Sequence, residues 1–360
     1  MKLAANSTDL GTHTLNEILS QPRCWSECLP KLASSAEFKA AEQMARPGAE
    51  WIFIGCGTSY YLAISAASAF NHSGLRARAI PASEVLLFPD LVLSKGPDYI
   101  PVMISRSGRT SEVVRAARFL EKERNVRSIA ITCGNRQPLE LECSLTLKLL
   151  DADEKSMVMT RSFTSMLLGL QYLAATIAND EQLLRDLMSL PEQTAPLLED
   201  IPQPLRLFVE ARSFEDCVFL AQGPLFGIAS ECMLKVTESS STYTQIFHSL
   251  EYRHGPKAIV GPETLITFLI SESSYDAEVE LLEEMKKLGA ATMVIANRLD
   301  ARAENASDFA IELGLRVSEY ARPAAYTIWG QLFGLFNGIK KGLNPDAPRN
   351  LSRVVVLDGK

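Results

Sequence analysis

The chain has no apolar run long enough to span a membrane, and its N-terminus, MKLAANSTDLGTHTLNEIL, lacks both a signal-peptide core and the arginine bias of a transit peptide. A soluble protein of the cytoplasm is the expectation. Positive charge is not in excess either: 36 Lys and Arg against 43 Asp and Glu leave a formal net charge of -7. Binding a nucleic acid requires a basic surface, so that class of partner is excluded and any anionic ligand has to be small and held locally. Paired cysteines are also missing. The cysteines at 24, 28, 56, 133, 143, 217 and 232 are odd in number and scattered, as for reduced, mostly buried thiols and not a disulfide framework. Cys24 and Cys28 have no second pair or nearby histidine with which to complete a metal site.

With 360 residues, 47% hydrophobic and 22% charged, the chain has material for one large or two medium domains. Residues 12–29 read as an amphipathic helix, with Leu15, Ile18, Leu19, Trp25 and Leu29 on one face and a kink or break at Pro22. At Trp51 the pattern changes. WIFIG is a short continuous apolar run, as in a strand buried on both faces, and CGTS turns it into the helical stretch YYLAISAASAF. Gly55 and Gly57 permit a tight turn, Ser59 lies at or near the N-cap, and free amides with the helix dipole favour an anion there. The same Gly-x-Gly is also an ordinary structural cap. IPVMIS reads as a second buried strand and leads through Arg106-Ser107-Gly108-Arg109-Thr110 into the helix SEVVRAARFLEKE. Ser105, Ser107 and Thr110 set three hydroxyls around that turn, with two arginines beside them. One cap needs one hydroxyl, so the density favours phosphate binding.

VRSIAIT and SLTLKLL read as further strands, and MTRSFTSMLLGLQYLAATIA as a strongly apolar helix. Strand alternating with helix predicts an α/β fold: parallel sheets flanked by helices, doubly wound in the flavodoxin-like manner, with ligands at the carboxyl ends of the strands. Residues 179–212, with Pro191, Pro196, Pro202 and Pro204, read as a connection between halves. Beyond it the pattern repeats. EWIFIGCG (50–57) aligns with DCVFLAQG (216–223) and PVMISRS (101–107) with TFLISES (267–273), both at an offset of 166. The reading is an internal duplication: an N-terminal helical segment 1–45, a first domain 46–190, a second 205–343 and a tail 344–360 that closes the active site. The copies are unequal. Where the first has its hydroxyl-rich turn the second reads SESSYD, whose Glu272 and Asp276 would repel a phosphate.

The second copy supplies a different stretch, from Cys232 to Pro256. Glu231, Lys235 and Glu238 stand at i, i+4 and i+7, so in a helix an acid, a cation and a base share one narrow face. Taken alone, Glu231 and Lys235 commonly form a solvated pair, and the Ser239–Thr242 run that follows is commonly a helix stop. Arg253-His254-Gly255-Pro256 closes the stretch with a turn in which His254 is either a hydrogen-bonded turn residue or a functional one. His248, Glu251 and His254 lack the spacing of a metal site, and no metal is expected. YTIWGQLFGLFNGIKKGLN reads as an apolar helix ended by Gly342 and Pro345, and the VVVL of the tail is expected to pack on something.

Taken together, CGTSYYLA, ISRSGRTSE, the MTRSFTS helix start, ASECMLKVTE, RHGPKAIV and PRNLSRVV resemble the tandem sugar isomerase (SIS) domains of phosphosugar isomerases and of enzymes that convert aminosugar phosphates. The resemblance runs from about residue 45 to the tail, with its motifs in order. CGTS, LKVTE and DAPRNL are similar to the isomerase half of glutamine–fructose-6-phosphate amidotransferases. MTRSFTSML and EYRHGPKAIV are similar to the tagatose-6-phosphate ketose/aldose isomerase group, also described as galactosamine-6-phosphate deaminases. The resemblance implies that Ser59, Ser105, Ser107 and Thr110 hold a sugar 6-phosphate, with Arg106 adding charge where the amidotransferases have glutamine. It implies Gly57, Thr58, Glu231 and Arg353 as further substrate contacts. Glu238 is then the base that moves a proton between C1 and C2, and His254 opens the sugar ring from the second subunit of a homodimer.

Two departures shape the expected activity. The chain starts Met1-Lys2, whereas the amidotransferases use an N-terminal cysteine in a glutaminase domain, so no use of glutamine by that route is expected. Arg353 stands where those enzymes carry a lysine that engages the open-chain ketose, and its guanidinium stays protonated and forms no imine under normal conditions. Carbon-bound proton transfer asks for a base of near-neutral pKa; burial would raise that of Glu238 and Lys235 would lower it. Lys235 can also stabilise an enediolate oxygen or, as a lesser alternative, form a Schiff base. The expected function is an aminosugar-6-phosphate isomerase/deaminase without a redox cofactor. A fructosamine-6-phosphate deglycase and a non-catalytic phosphosugar sensor are the alternatives.

Overall fold

The computed structural model describes residues 10–94 and 98–357; the start of the chain read above for a leader and the last three residues of the tail lie outside the described residues. The chain divides into two units. One, here called the first, comprises Ser20–Glu154, Arg161–Pro191 and Ser352–Lys360, and the second comprises Met1–Leu19, Lys155–Thr160 and Glu192–Leu351. The N-terminal amphipathic pattern becomes two helices, Thr12–Leu19 and Gln21–Ala33, broken just before Pro22, which sits in the first turn of the latter where its missing N–H costs nothing.

The first unit is built on a five-stranded sheet of β1 (Glu50–Gly55), β2 (Ala77–Pro81), β3 (Tyr99–Ile104), β4 (Ile129–Thr132) and β5 (Leu145–Lys148), all parallel, in the order β2-β1-β3-β4-β5. The apolar runs are its centre, since β1, β3 and β4 are buried on both faces and pair in register, Phe53 against Val102 and Met103 against Ala130. β2 gives no such run because it lies at the edge, mostly half-buried, and its ARAIP carries a charge. The helix Arg161–Ala178 is apolar nearly all round and correspondingly buried. Trp25 donates its indole N–H to Thr164 Oγ1 at 2.9 Å, and a Cβ on Gly169 would stand 2.7 Å from Leu32, so the helix Gln21–Ala33 packs closely there.

The second unit repeats the plan with β6 (Asp216–Ala221), β7 (Tyr243–His248), β8 (Thr264–Ile270), β9 (Ala291–Ala296) and β10 (Phe309–Glu312), parallel, in the order β7-β6-β8-β9-β10. β6 and β7 begin 166 residues after β1 and β2. Sequence pattern missed β7 for the reason it missed β2: an edge strand, none of it fully buried, carries no apolar run. The proline-containing connection is helical, over Glu181–Thr194, Leu197–Asp200 and Pro202–Ala211.

The second unit also fixes the helix that bears the acid–cation–base face. That helix, Phe226–Ser240, lies against the helix Pro323–Lys340, whose glycines at 330, 334 and 338 recur every fourth residue and so line one face. A Cβ on Gly334 would stand 2.9 Å from the carbonyl oxygen of Lys235, and one on Gly338 would stand 2.2 Å from that of Ser239. The absence of side chains lets the two backbones touch. Among the described residues no helix is long and apolar enough to cross a membrane.

Candidate active site

The residues singled out from sequence fall into two groups, one in each unit. In the first unit the turn after β1 is forced by its neighbours: a Cβ on Gly55 would overlap the Ser59 backbone at 2.5 Å, and Gly57 has φ +54°, a conformation that favours glycine. The helix Thr58–His72 takes Gly57 as its N-cap, so Ser59 lies one residue inside the first turn and not at the cap. Thr58 and Ser59 are buried. Burial, with the Glu112 carboxylate, pushes the Cys56 thiol up to about 11, so it stays protonated at neutral pH and offers no nucleophile.

The turn after β3 gathers the other hydroxyls. Ser105, 1% exposed, shares a hydrogen bond of 3.1 Å with Thr110 Oγ1 and accepts from the Gly108 amide at 3.2 Å, while Ser107 Oγ accepts from the Arg109 amide at 3.2 Å. Thr110 is the N-cap of the helix Ser111–Arg118, yet its hydroxyl is not spent on the cap. Three hydroxyls therefore face a helix start, as a nest for a small anion does. Arg106 turns elsewhere. Its guanidinium, 5% exposed, pairs at 3.2 Å with the buried carboxylate of Glu154 and donates to the backbone carbonyl of Arg353 at 2.9 Å. Arg353 in turn donates to Asp153 Oδ1 at 2.7 Å and to the carbonyl of Glu154. Arg109, exposed beside the three hydroxyls, is the arginine of that turn left to face solvent.

In the second unit the helix Phe226–Ser240 carries Glu231 and Lys235 in the interior, not as a solvated pair. Lys235 Nζ lies 3.3 Å from Glu231 Oε1 and donates to the Glu238 carboxylate, whose side chain is 19% exposed. Burial works against the ammonium, but the Glu231 and Glu238 carboxylates outweigh it and hold the Lys235 pKa above the usual lysine value. A raised value keeps the amine protonated, which opposes its use as a Schiff-base nucleophile. The Ser/Thr run does end the helix, through Ser241 in the left-handed conformation at φ +49°. Glu238 opens on a cleft of about 250 Å³ lined by Ser239, Ser241, Asn344 and Arg349 among others. Arg349 was not singled out from sequence, where the PRNL motif marked it only as part of the tail.

His254 lies exposed on the turn that follows the short helix Leu250–Arg253, ahead of Gly255 at φ +122°. Its neighbours Arg253 and Lys257 both pair with Glu284, at 2.9 and 2.6 Å, which fixes the turn. His248 stacks on the Phe226 ring, with centroids 3.8 Å apart. Among the described residues no group of three or more His, Cys, Asp or Glu side chains is placed to hold a metal ion.

The second sheet has a counterpart of the phosphate turn, and it is filled. The buried carboxylate of Glu278 accepts from Ser249 Oγ, from the Ser271 amide at 3.0 Å and from Ser274 Oγ at 2.7 Å. Burial raises its pKa in spite of these donors. Glu272 is engaged with Arg322 at 2.6 Å and Asp276 lies 3.9 Å from Arg302. An internal carboxylate therefore takes the donors that an anion would use, a stronger reason than repulsion by Glu272 and Asp276.

Residues 49–176 match the family model described as the SIS domain. The chain is 28% identical over 358 residues to glutamine–fructose-6-phosphate aminotransferase [isomerizing] of Pyrobaculum aerophilum, an alignment covering 96% of this chain and 57% of that protein. It spans little more than half the length of the aminotransferase relatives it matches. With D-galactosamine-6-phosphate deaminase of Shewanella sp. it shares 27% identity over 354 residues, 93% of this chain and 87% of that one. The crystal structure of glucosamine-6-phosphate deaminase from Thermotoga maritima superimposes with a TM-score of 0.77 at 29% identity, covering 96% of this chain and 100% of the other. Two parallel five-stranded sheets flanked by helices match SIS folds and are consistent with two such domains in tandem.

Proposed function

We propose that this SIS-domain chain is a phosphosugar isomerase/deaminase that converts an aminosugar 6-phosphate into a ketose 6-phosphate and ammonia. The observation that carries the reading is Glu238, partly exposed on a cleft and held by a buried, protonated Lys235. A carboxylate fixed at the edge of a cleft is placed to take a proton from a sugar bound there, and the buried cation behind it holds that position. The near full-length similarity to glucosamine- and galactosamine-6-phosphate deaminases supports the same reading.

In this mechanism Ser59, Ser105, Ser107 and Thr110 hold the phosphate by hydroxyl and amide donors, with Gly57 and Thr58 shaping the approach. His254, supplied by a second copy of the chain, opens the ring. Glu238 removes the proton from C2 of the open-chain aminosugar, and a proton is delivered to C1. The carbon–nitrogen bond at C2 becomes an imine, and water hydrolyses it to the ketose, releasing ammonia. Arg349 lines the same cleft as Glu238 and offers a guanidinium to substrate oxygens.

Ammonia release from glucosamine 6-phosphate and galactosamine 6-phosphate, given separately to the purified full chain, tests the proposal. Release from one of them that is lost in Glu238→Gln supports it and chooses the sugar. Saturable binding of both without release overturns it.

A further inference from the structure

Two positions at which the sequence departs from the amidotransferase pattern, Arg106 and Arg353, are 247 residues apart in the chain and meet in the first unit. Arg106 reaches back from the phosphate turn to the carbonyl of Arg353, and Arg353 reaches forward to Asp153 and to the carbonyl of Glu154. Glu154 closes the circle. Its carboxylate, fully buried, pairs with Arg106 and accepts the amide of Ser162 at 3.1 Å and the Ser162 hydroxyl. Burying a carboxylate is costly unless charge and donors surround it, and here both do.

The tail beyond Arg353 continues the attachment. The amide of Ser111, the first residue of the helix after the phosphate turn, donates to the carbonyl of Val355 at 3.2 Å, and the amide of Leu357 donates to Ser111 Oγ at 2.9 Å. Apolar burial does not hold this segment, because Val355, Val356 and Leu357 remain 51%, 56% and 47% exposed. The VVVL run thus binds largely through its backbone, with Val354 partly buried and the other three side chains exposed. Polar contacts tie the tail to both flanks of the phosphate turn: Arg106 within it and Ser111 at its end.

We infer that Arg106 and Arg353 form one latch, with Asp153 and Glu154 as positioning residues, that straps the tail to the phosphate turn and sets the turn's shape. Neither arginine is then an independent substrate contact. The strap holds the loop that receives the phosphate, so the inference deepens the proposed function and its second readout rests on that reading.

The test measures two quantities on the full chain: hydrogen exchange of the Leu357 amide and of the Gly108–Thr110 amides, and binding of fructose 6-phosphate. The variants are Arg106→Gln, Arg353→Lys, their double, and Asp153→Asn. Arg106→Gln leaves Glu154 buried without its cation and can unfold the unit; Arg353→Lys and Asp153→Asn alter only half-exposed groups and keep the test open. The latch predicts that Asp153→Asn and Arg353→Lys each speed Leu357 exchange about tenfold or more by releasing the strap. It predicts weaker fructose 6-phosphate binding in step with faster exchange in the turn, and a double variant no worse than its worse single. Unchanged Leu357 exchange, or additive effects in the double, overturns the latch. Faster exchange with unaltered binding overturns the positioning role. Absence of fructose 6-phosphate binding by the wild-type chain contradicts the functional reading and leaves the exchange result to judge the latch.

Discussion

Glu238 pairs with the ammonium of Lys235, one turn back on the same helix, and only 2% of the Lys235 side chain is open to solvent. The pair joins a group that meets the cleft to one that meets only protein. Its cation also answers Glu231, which is fully buried.

Removing that cation exposes the cost of the arrangement. Lys235→Met leaves two carboxylates facing each other without compensation, and about 3–5 kcal/mol of stability is expected to go with it. Chemical denaturation of both proteins measures the difference. Because the folded pKa of Lys235 lies above the unfolded value of about 10.4, its contribution is complete below that value and is lost as pH rises through the folded one. The gap between the two stability curves is therefore expected to be open at neutrality and to close as the pH rises above about 10.4. A gap that widens as the pH rises through that range would show that the lysine is not charged in the fold.

The glycine stripe makes a separate prediction. A methyl group on Gly334 meets the Lys235 carbonyl and the Val236 Cα, at 2.9 and 3.1 Å, and neither is the end of a flexible side chain. Gly334→Ala is expected to cost about 1–3 kcal/mol and to displace the helix that carries Glu238. A fall in melting temperature together with a fall in kcat checks this. Wild-type values for both would mean that the helices do not touch there.

Much of this was readable in the chain, and the limits have physical causes. β1 and β3 announced themselves because both faces are buried, whereas β2 and β7 are edges and their half-buried residues carry no period. The face shared by Glu231, Lys235 and Glu238 followed from helical spacing, but its burial depends on a partner helix some hundred residues away in the chain, Pro323–Lys340. That helix carries its own legible signal of close packing, glycine at every fourth position from 330 to 338. The fate of Arg106 had no local signal. Charge and position beside a Gly turn pointed to phosphate, and its real partners, Glu154 and the Arg353 carbonyl, are far along the chain. The same holds for Glu278, whose donors come from three separate positions after β7 and β8.

In the proposed mechanism Glu238 takes a proton from C2 of an aminosugar phosphate. Loss of deuterium from C2 tests it most directly, followed by nuclear magnetic resonance on 2-deuterated glucosamine 6-phosphate and galactosamine 6-phosphate incubated with the wild-type chain and with Glu238→Gln. With the wild type, label is expected to leave C2 of one of them, and the variant is expected to slow this by about 10²–10⁴-fold while still binding the sugar. Label that stays at C2 of both despite saturable binding by the wild type, or that leaves at equal rates in the two proteins, would contradict it.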